Sequence, residues 1–96
     1  MRESFIEEKL TKAVKQNGGV CWKFTSPGTA GVPDRIILMP EGRIAFVEVK
    51  APGEKPRPLQ LSRHGLLRRL GFKVYVLVAL EDIEKIISEV KNDGVT

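Results

Sequence analysis

An α/β fold, with a mixed four-stranded sheet flanked by helices in the order αβββαβα, follows from three features of this 96-residue sequence. Segments near both ends carry apolar residues at helical spacing, and four short segments in between read as strands. A third helical segment separates the last two strands. Such a crossover connection makes the neighbouring strands parallel and gives the sheet helices to cover it.

The first helix spans residues 3 to about 17, because Ile6, Leu10, Ala13 and Val14 fall on one stripe and "NGG" supplies a stop. "VCWKF" (20–24) alternates like a strand, with Trp22 expected in the core or an interface and Cys21 as a small strand residue. "TSPGTAGVP" is a Gly/Pro-rich loop. "DRIILM" and "RIAFVEVK" form a hairpin across "PEGR", with Gly42 at positive φ. Three prolines keep "APGEKPRP" irregular. "LQLSRHGLLRRL" (59–70) is the second helix, "KVYVLVA" (73–79) the fourth strand, and "LEDIEKIISEV" (80–90) the last helix. The length suits one domain over residues 1–96.

No apolar run approaches the roughly 20 residues that span a bilayer, and "MRESFIEEKL" has no signal-peptide core. We therefore expect a cytoplasmic protein with no membrane partner and no small-molecule substrate. Charge is concentrated: residues 50–73 hold seven basic side chains against one acidic, Glu54. Such a block suits a polyanion such as DNA, although a solvated helix face would also produce it.

The hairpin carries the chemistry. In "RIAFVEVK", alternation puts Glu48 and Lys50 on one face, and pairing across the turn brings Asp34 to the same end. Two converging carboxylates repel unless a divalent cation lies between them. Mg²⁺ or Mn²⁺ with Asp34, Glu48 and the Val49 carbonyl as ligands meets that need. Lys50 then orients or deprotonates an attacking water, which is the chemistry of metal-dependent phosphodiester hydrolysis. Taken singly, each residue has a plainer reading, with Asp34 capping a turn and Glu48–Lys50 a surface ion pair.

The series "GVPD…(13)…EVK" followed by a glutamine-bearing helix resembles the PD-(D/E)XK nuclease superfamily and its restriction-endonuclease-like core. More narrowly, residues 3–90 resemble the VRR-NUC (virus-type replication-repair nuclease) family, in its short stand-alone phage and bacterial form. The resemblance implies that Asp34 and Glu48 bind metal and that Lys50 is the catalytic lysine. It also implies that a first-helix glutamate contributes indirectly to the metal site. Glu3 and Glu7 lie on or beside the apolar stripe and Glu8 faces away; Glu7 matches the family's "IE" step and is chosen, with Lys12 or Lys15 as partner in the plainer reading. Gln60 matches the family glutamine and is assigned to the catalytic set.

Lys55, Arg57, Arg63 and Arg68 form the pool for phosphate contacts, and His64 is read as a DNA contact or surface residue. Ser26, in "SPGTAG", stands where a phosphate can approach backbone N–H groups. The resemblance to junction-resolving enzymes that work as dimers implies a homodimer, and the size agrees, since 96 residues build one active site whereas a four-way junction needs two symmetric cuts. The resemblance adds branched DNA, above all Holliday junctions, in phage recombination, repair or packaging. The competing readings are a non-catalytic DNA-binding module of the same fold, or a nuclease acting on flaps or nicked duplex.

Overall fold

The computed structural model describes residues 1–92; residues 93–96, the end of the domain expected over 1–96, lie outside the described residues. The elements are α1 (Glu3–Gln16), β1 (Val20–Lys23), β2 (Arg35–Met39), β3 (Arg43–Val49), α2 (Pro58–Arg69), β4 (Lys73–Leu77) and α3 (Ile83–Lys91). The sheet order is β1-β2-β3-β4, antiparallel across the first two junctions and parallel between β3 and β4. The expected mixed sheet and element order are therefore present. No helix among the described residues is long and apolar enough to cross a membrane.

Local differences have local causes. The β2–β3 link is a 3-10 turn over Pro40–Gly42, in which Glu41 as well as Gly42 takes positive φ. Strand β4 stops at Leu77, and a 3-10 turn over Leu80–Asp82 precedes α3. Helix α3 then buries Ile83, Ile86, Ile87 and Val90. That spacing keeps all four on one stripe.

The core lies on one face of the sheet. There Ile6, Leu10 and Val14 of α1 and the α3 isoleucines meet Cys21, Ile37, Ala45, Val47, Val49 and Leu77. Burial of this many aliphatic side chains is the main stabilising term for so short a chain. The opposite face is covered in part by α2, above a tilted and edge-on run of rings, Phe24–Phe46 at 5.5 Å and Phe46–Phe72 at 5.7 Å. Of the two places expected for Trp22, core or interface, the core is ruled out, since the side chain is 59% exposed. Its neighbour Cys21 takes the inward phase of β1, which turns Trp22 outward.

Candidate active site

The β2–β3 register pairs Arg35 with Val47, so one step further Asp34 stands opposite Glu48 at the end of the hairpin. Asp34 is fixed by two backbone contacts. Its carbonyl accepts from Phe24 N–H (2.8 Å), and its Oδ1 accepts from Val49 N–H (3.1 Å). Lys50 follows directly, its Nζ 3.9 Å from Glu48 Oε2. The three residues named from the sequence thus share one end of the sheet. Val49 reaches the site through its N–H.

The closest group of acids is wider than the hairpin. One carboxylate oxygen each from Glu3, Glu7 and Asp34 lie within 4.8 Å of one another. Both α1 candidates reach Asp34, because positions 3 and 7 are one helical turn apart on the same side of α1. Glu8 is exposed, as expected. Glu7 takes no lysine partner; its Oε2 accepts from Arg35 at 2.6 Å. Arg35 escaped the sequence reading. The available signal was its phase, since it alternates with the buried Ile37 and Met39 and an inward-facing guanidinium needs an acid partner.

Glu48 is only 3% exposed and faces α2. Gln60 Nε2 donates to its Oε2 at 3.2 Å, and His64 Nε2 lies 3.4 Å from its Oε1. Gln60 Oε1 meanwhile accepts from Arg57 N–H at 2.8 Å. Both ends of the Gln60 amide are therefore spent on protein, and its contribution to the site passes through Glu48. His64 corrects an expectation: with 0% exposure it has no surface to offer DNA.

The electrostatics show a site short of positive charge. Burial pushes Asp34 up to about 6 from 3.8; the Val49 N–H opposes the rise, and the negative charges of Glu48, Glu7 and Glu3 add to it. Glu48 is also raised by burial, with Lys50 opposing. Carboxylates held against their own ionisation supply hard oxygen donors with the chemistry of a Mg²⁺ or Mn²⁺ site, and on that ground the residues fit such an ion.

The remaining basic candidates divide into two groups. Lys55 and Arg57 are exposed in the loop entering α2. Arg63 donates to the Ala30 carbonyl at 2.9 Å and Arg68 to the Val74 carbonyl at 2.7 Å, so both are engaged in holding the fold. Ser26 opens a turn, its carbonyl accepting from Thr29 N–H at 3.0 Å. The loop is pressed against α2 at Gly31, where a Cβ would come 2.8 Å from Leu59 Cγ.

Comparison with known proteins identifies the family. The VRR-NUC domain model matches residues 3–80. A protein of Acyrthosiphon pisum secondary endosymbiont phage 1, named "Putative nuclease p44", is 49% identical over 90 residues, covering 94% of this chain and 96% of its own. A solved VRR-NUC domain structure superimposes with a TM-score of 0.84 at 32% identity, over 90% of this chain and 94% of the other. The family match runs from α1 past β4 and takes in Glu3, Glu7, Asp34, Glu48 and Lys50; this chain belongs to the VRR-NUC family of nuclease domains.

Proposed function

We propose that the protein is a Mg²⁺- or Mn²⁺-dependent endonuclease that hydrolyses phosphodiesters in branched DNA, Holliday junctions among them, as a homodimer in the cytoplasm of a bacterial cell or phage-infected host. The observation that carries the reading is Asp34. It is held near pH 6 by burial and three neighbouring acids, a cost that an incoming cation removes. Asp34 and Glu48, with the Val49 carbonyl, would hold the ion, and Glu7 and Glu3 stand beside them. When bound, such an ion offsets phosphodiester charge and acidifies water.

The chain's own residues do the rest. Val49 N–H keeps Asp34 turned into the site. Gln60 restrains Glu48 from the α2 side. Lys50, half-buried beside Glu48, orients the attacking water and offsets charge gathering on the phosphoryl oxygens. Lys55 and Arg57 hold the backbone of the strand being cut. Such contacts position DNA without reading its sequence.

Support for the homodimer comes from the open sheet face. Val20 and Trp22 are exposed there, and their register partners Leu38 and Ile36, with Ile44, continue the apolar surface. A second copy on that face covers it and supplies the second cut. The test is cleavage of matched duplex, flap, nicked and four-way substrates in Mg²⁺ or Mn²⁺, with and without EDTA, alongside solution mass. Cleavage of the junction by a dimer, lost in EDTA and in Asp34→Ala and Lys50→Ala, is the expected result. Equal cutting of simple duplex removes the junction preference, and undiminished activity in either variant removes the site.

A further inference from the structure

Helix α2 reverses the usual pattern of an amphipathic helix. Leu59, Leu61 and Leu66 are exposed, whereas its two buried residues are Gln60 and His64. Covering a sheet with apolar side chains would favour the opposite arrangement. Gln60 and His64 are four residues apart, so they share one face of the helix, and both meet the same carboxylate. Gln60 Nε2 takes Glu48 Oε2 at 3.2 Å, and His64 Nε2 lies 3.4 Å from Oε1. Each oxygen of Glu48 thus has its own partner on α2.

The other imidazole nitrogen settles the direction of the second contact. His64 Nδ1 is buried with no hydrogen-bond partner among the described residues. A buried bare acceptor is tolerated more readily than a buried orphan donor. The proton therefore belongs on Nε2, where it is donated to Glu48. A doubly protonated ring would leave a buried Nδ1–H with no acceptor, so the geometry favours the neutral imidazole. Neutral donors orient a carboxylate without cancelling its charge, unlike the Arg35 guanidinium on Glu7.

The geometry points to His64 as a positioning residue that, together with Gln60, sets the plane of the Glu48 carboxylate for the cation; it serves neither as general base nor as DNA contact. This inference rests on the metal-site reading above. Partners of this kind, standing behind a metal ligand, are worth about 10- to 100-fold in metal affinity or activity.

His64 is the chain's one histidine, so ¹⁵N-histidine labelling gives a single imidazole in NMR spectra of the intact protein. The expected form is the Nε2–H tautomer, with its resonances shifted by saturating Mg²⁺. An Nδ1–H tautomer, or a ring indifferent to Mg²⁺, overturns the proposal. Two variants of similar shape carry the second test: His64→Met has no N–H, and His64→Gln keeps one. By electron paramagnetic resonance, Mn²⁺ binding should weaken about 10-fold or more in His64→Met and return to within about threefold in His64→Gln. The cleavage kcat should follow, with KM for DNA unchanged. A folded His64→Met that binds Mn²⁺ like the parent refutes the role, and if that variant does not fold the tautomer decides alone. Failure of the parent to cleave in Mn²⁺ sinks the nuclease reading instead, so the two failures are distinct.

Discussion

Asp34→Asn should make the metal-free protein more stable while abolishing cleavage. The carboxyl is pushed from 3.8 to about 6 by burial and by Glu48, Glu7 and Glu3. At about 1.4 kcal/mol per pKa unit, a rise of roughly two units costs the folded state about 3 kcal/mol once the group is ionised. Water reaching the half-buried group screens this to about 1–2 kcal/mol. Asparagine removes the charge and keeps the Oδ1 that accepts from Val49 N–H. The folded pKa lies above the unfolded one, so the native state holds the proton more tightly. The penalty is therefore complete above about pH 6 and fades as pH falls through that value toward 3.8. For a domain of this size 1–2 kcal/mol corresponds to a rise in Tm of about 5–10 °C. Circular dichroism melts of parent and variant in EDTA measure it, with that gap at pH 7.5 shrinking to about 2 °C at pH 4. Mg²⁺ at pH 7.5 should then raise the parent's Tm and leave the variant's nearly unmoved. Equal gaps at both pH values, or a variant less stable than the parent at pH 7.5, would show that Asp34 carries no such burden.

Removing the guanidinium with Arg35→Met leaves Glu7 unpaired beside Asp34 and should cost about 1–3 kcal/mol in urea denaturation at pH 7. Gly31 adopts φ 86°, and a Cβ there meets Leu59 Cγ at 2.8 Å, so Gly31→Ala should lower stability by about 1–3 kcal/mol. A Tm equal to the parent's would show that the loop is not pressed on α2. Lys55→Ala and Arg57→Ala should each weaken DNA binding and reduce the slope of log K against log salt by about 0.9 on duplex. Their urea midpoints should stay unchanged, because both side chains are exposed.

What could be read from the chain was whatever period and proximity control. Glu48 and Lys50 had to share a face of β3, and the hairpin had to bring Asp34 beside them, because pairing through a short turn leaves few registers. The helix pattern of α1 separated Glu8 from Glu3 and Glu7 in the same way. The misses lie where distant elements meet. Nothing near Glu7 in sequence announces Arg35, 28 residues away, and only the docking of α1 brings them together. His64 looked like surface because α2 has so weak an apolar stripe; its burial depends on Glu48 drawing the polar side of that helix inward. Trp22 ended exposed because α2 covers only part of its face of the sheet.

Those distant contacts show how three carboxylates of the site come to differ. Glu7 is paired with a fixed cation, Arg35. Glu48 is gripped by an amide and an imidazole, with the Lys50 ammonium 3.9 Å off. Asp34 has one N–H for its carboxylate and three acids nearby. A charge already paired with arginine has least to gain from a metal ion, and a charge held only by neutral dipoles has most. On the proposed metal site, the attraction for a cation would therefore centre on Asp34 and extend to Glu48, whose own charge Lys50 offsets only from 3.9 Å. Glu7, already offset by the Arg35 guanidinium, would add less to that attraction. On this reasoning, neutralising Glu7 should weaken cation binding less than neutralising Glu48, and Mn²⁺ titrations of Glu7→Gln and Glu48→Gln compare the two directly. A larger loss in Glu7→Gln would place the ion on the α1 side of Asp34.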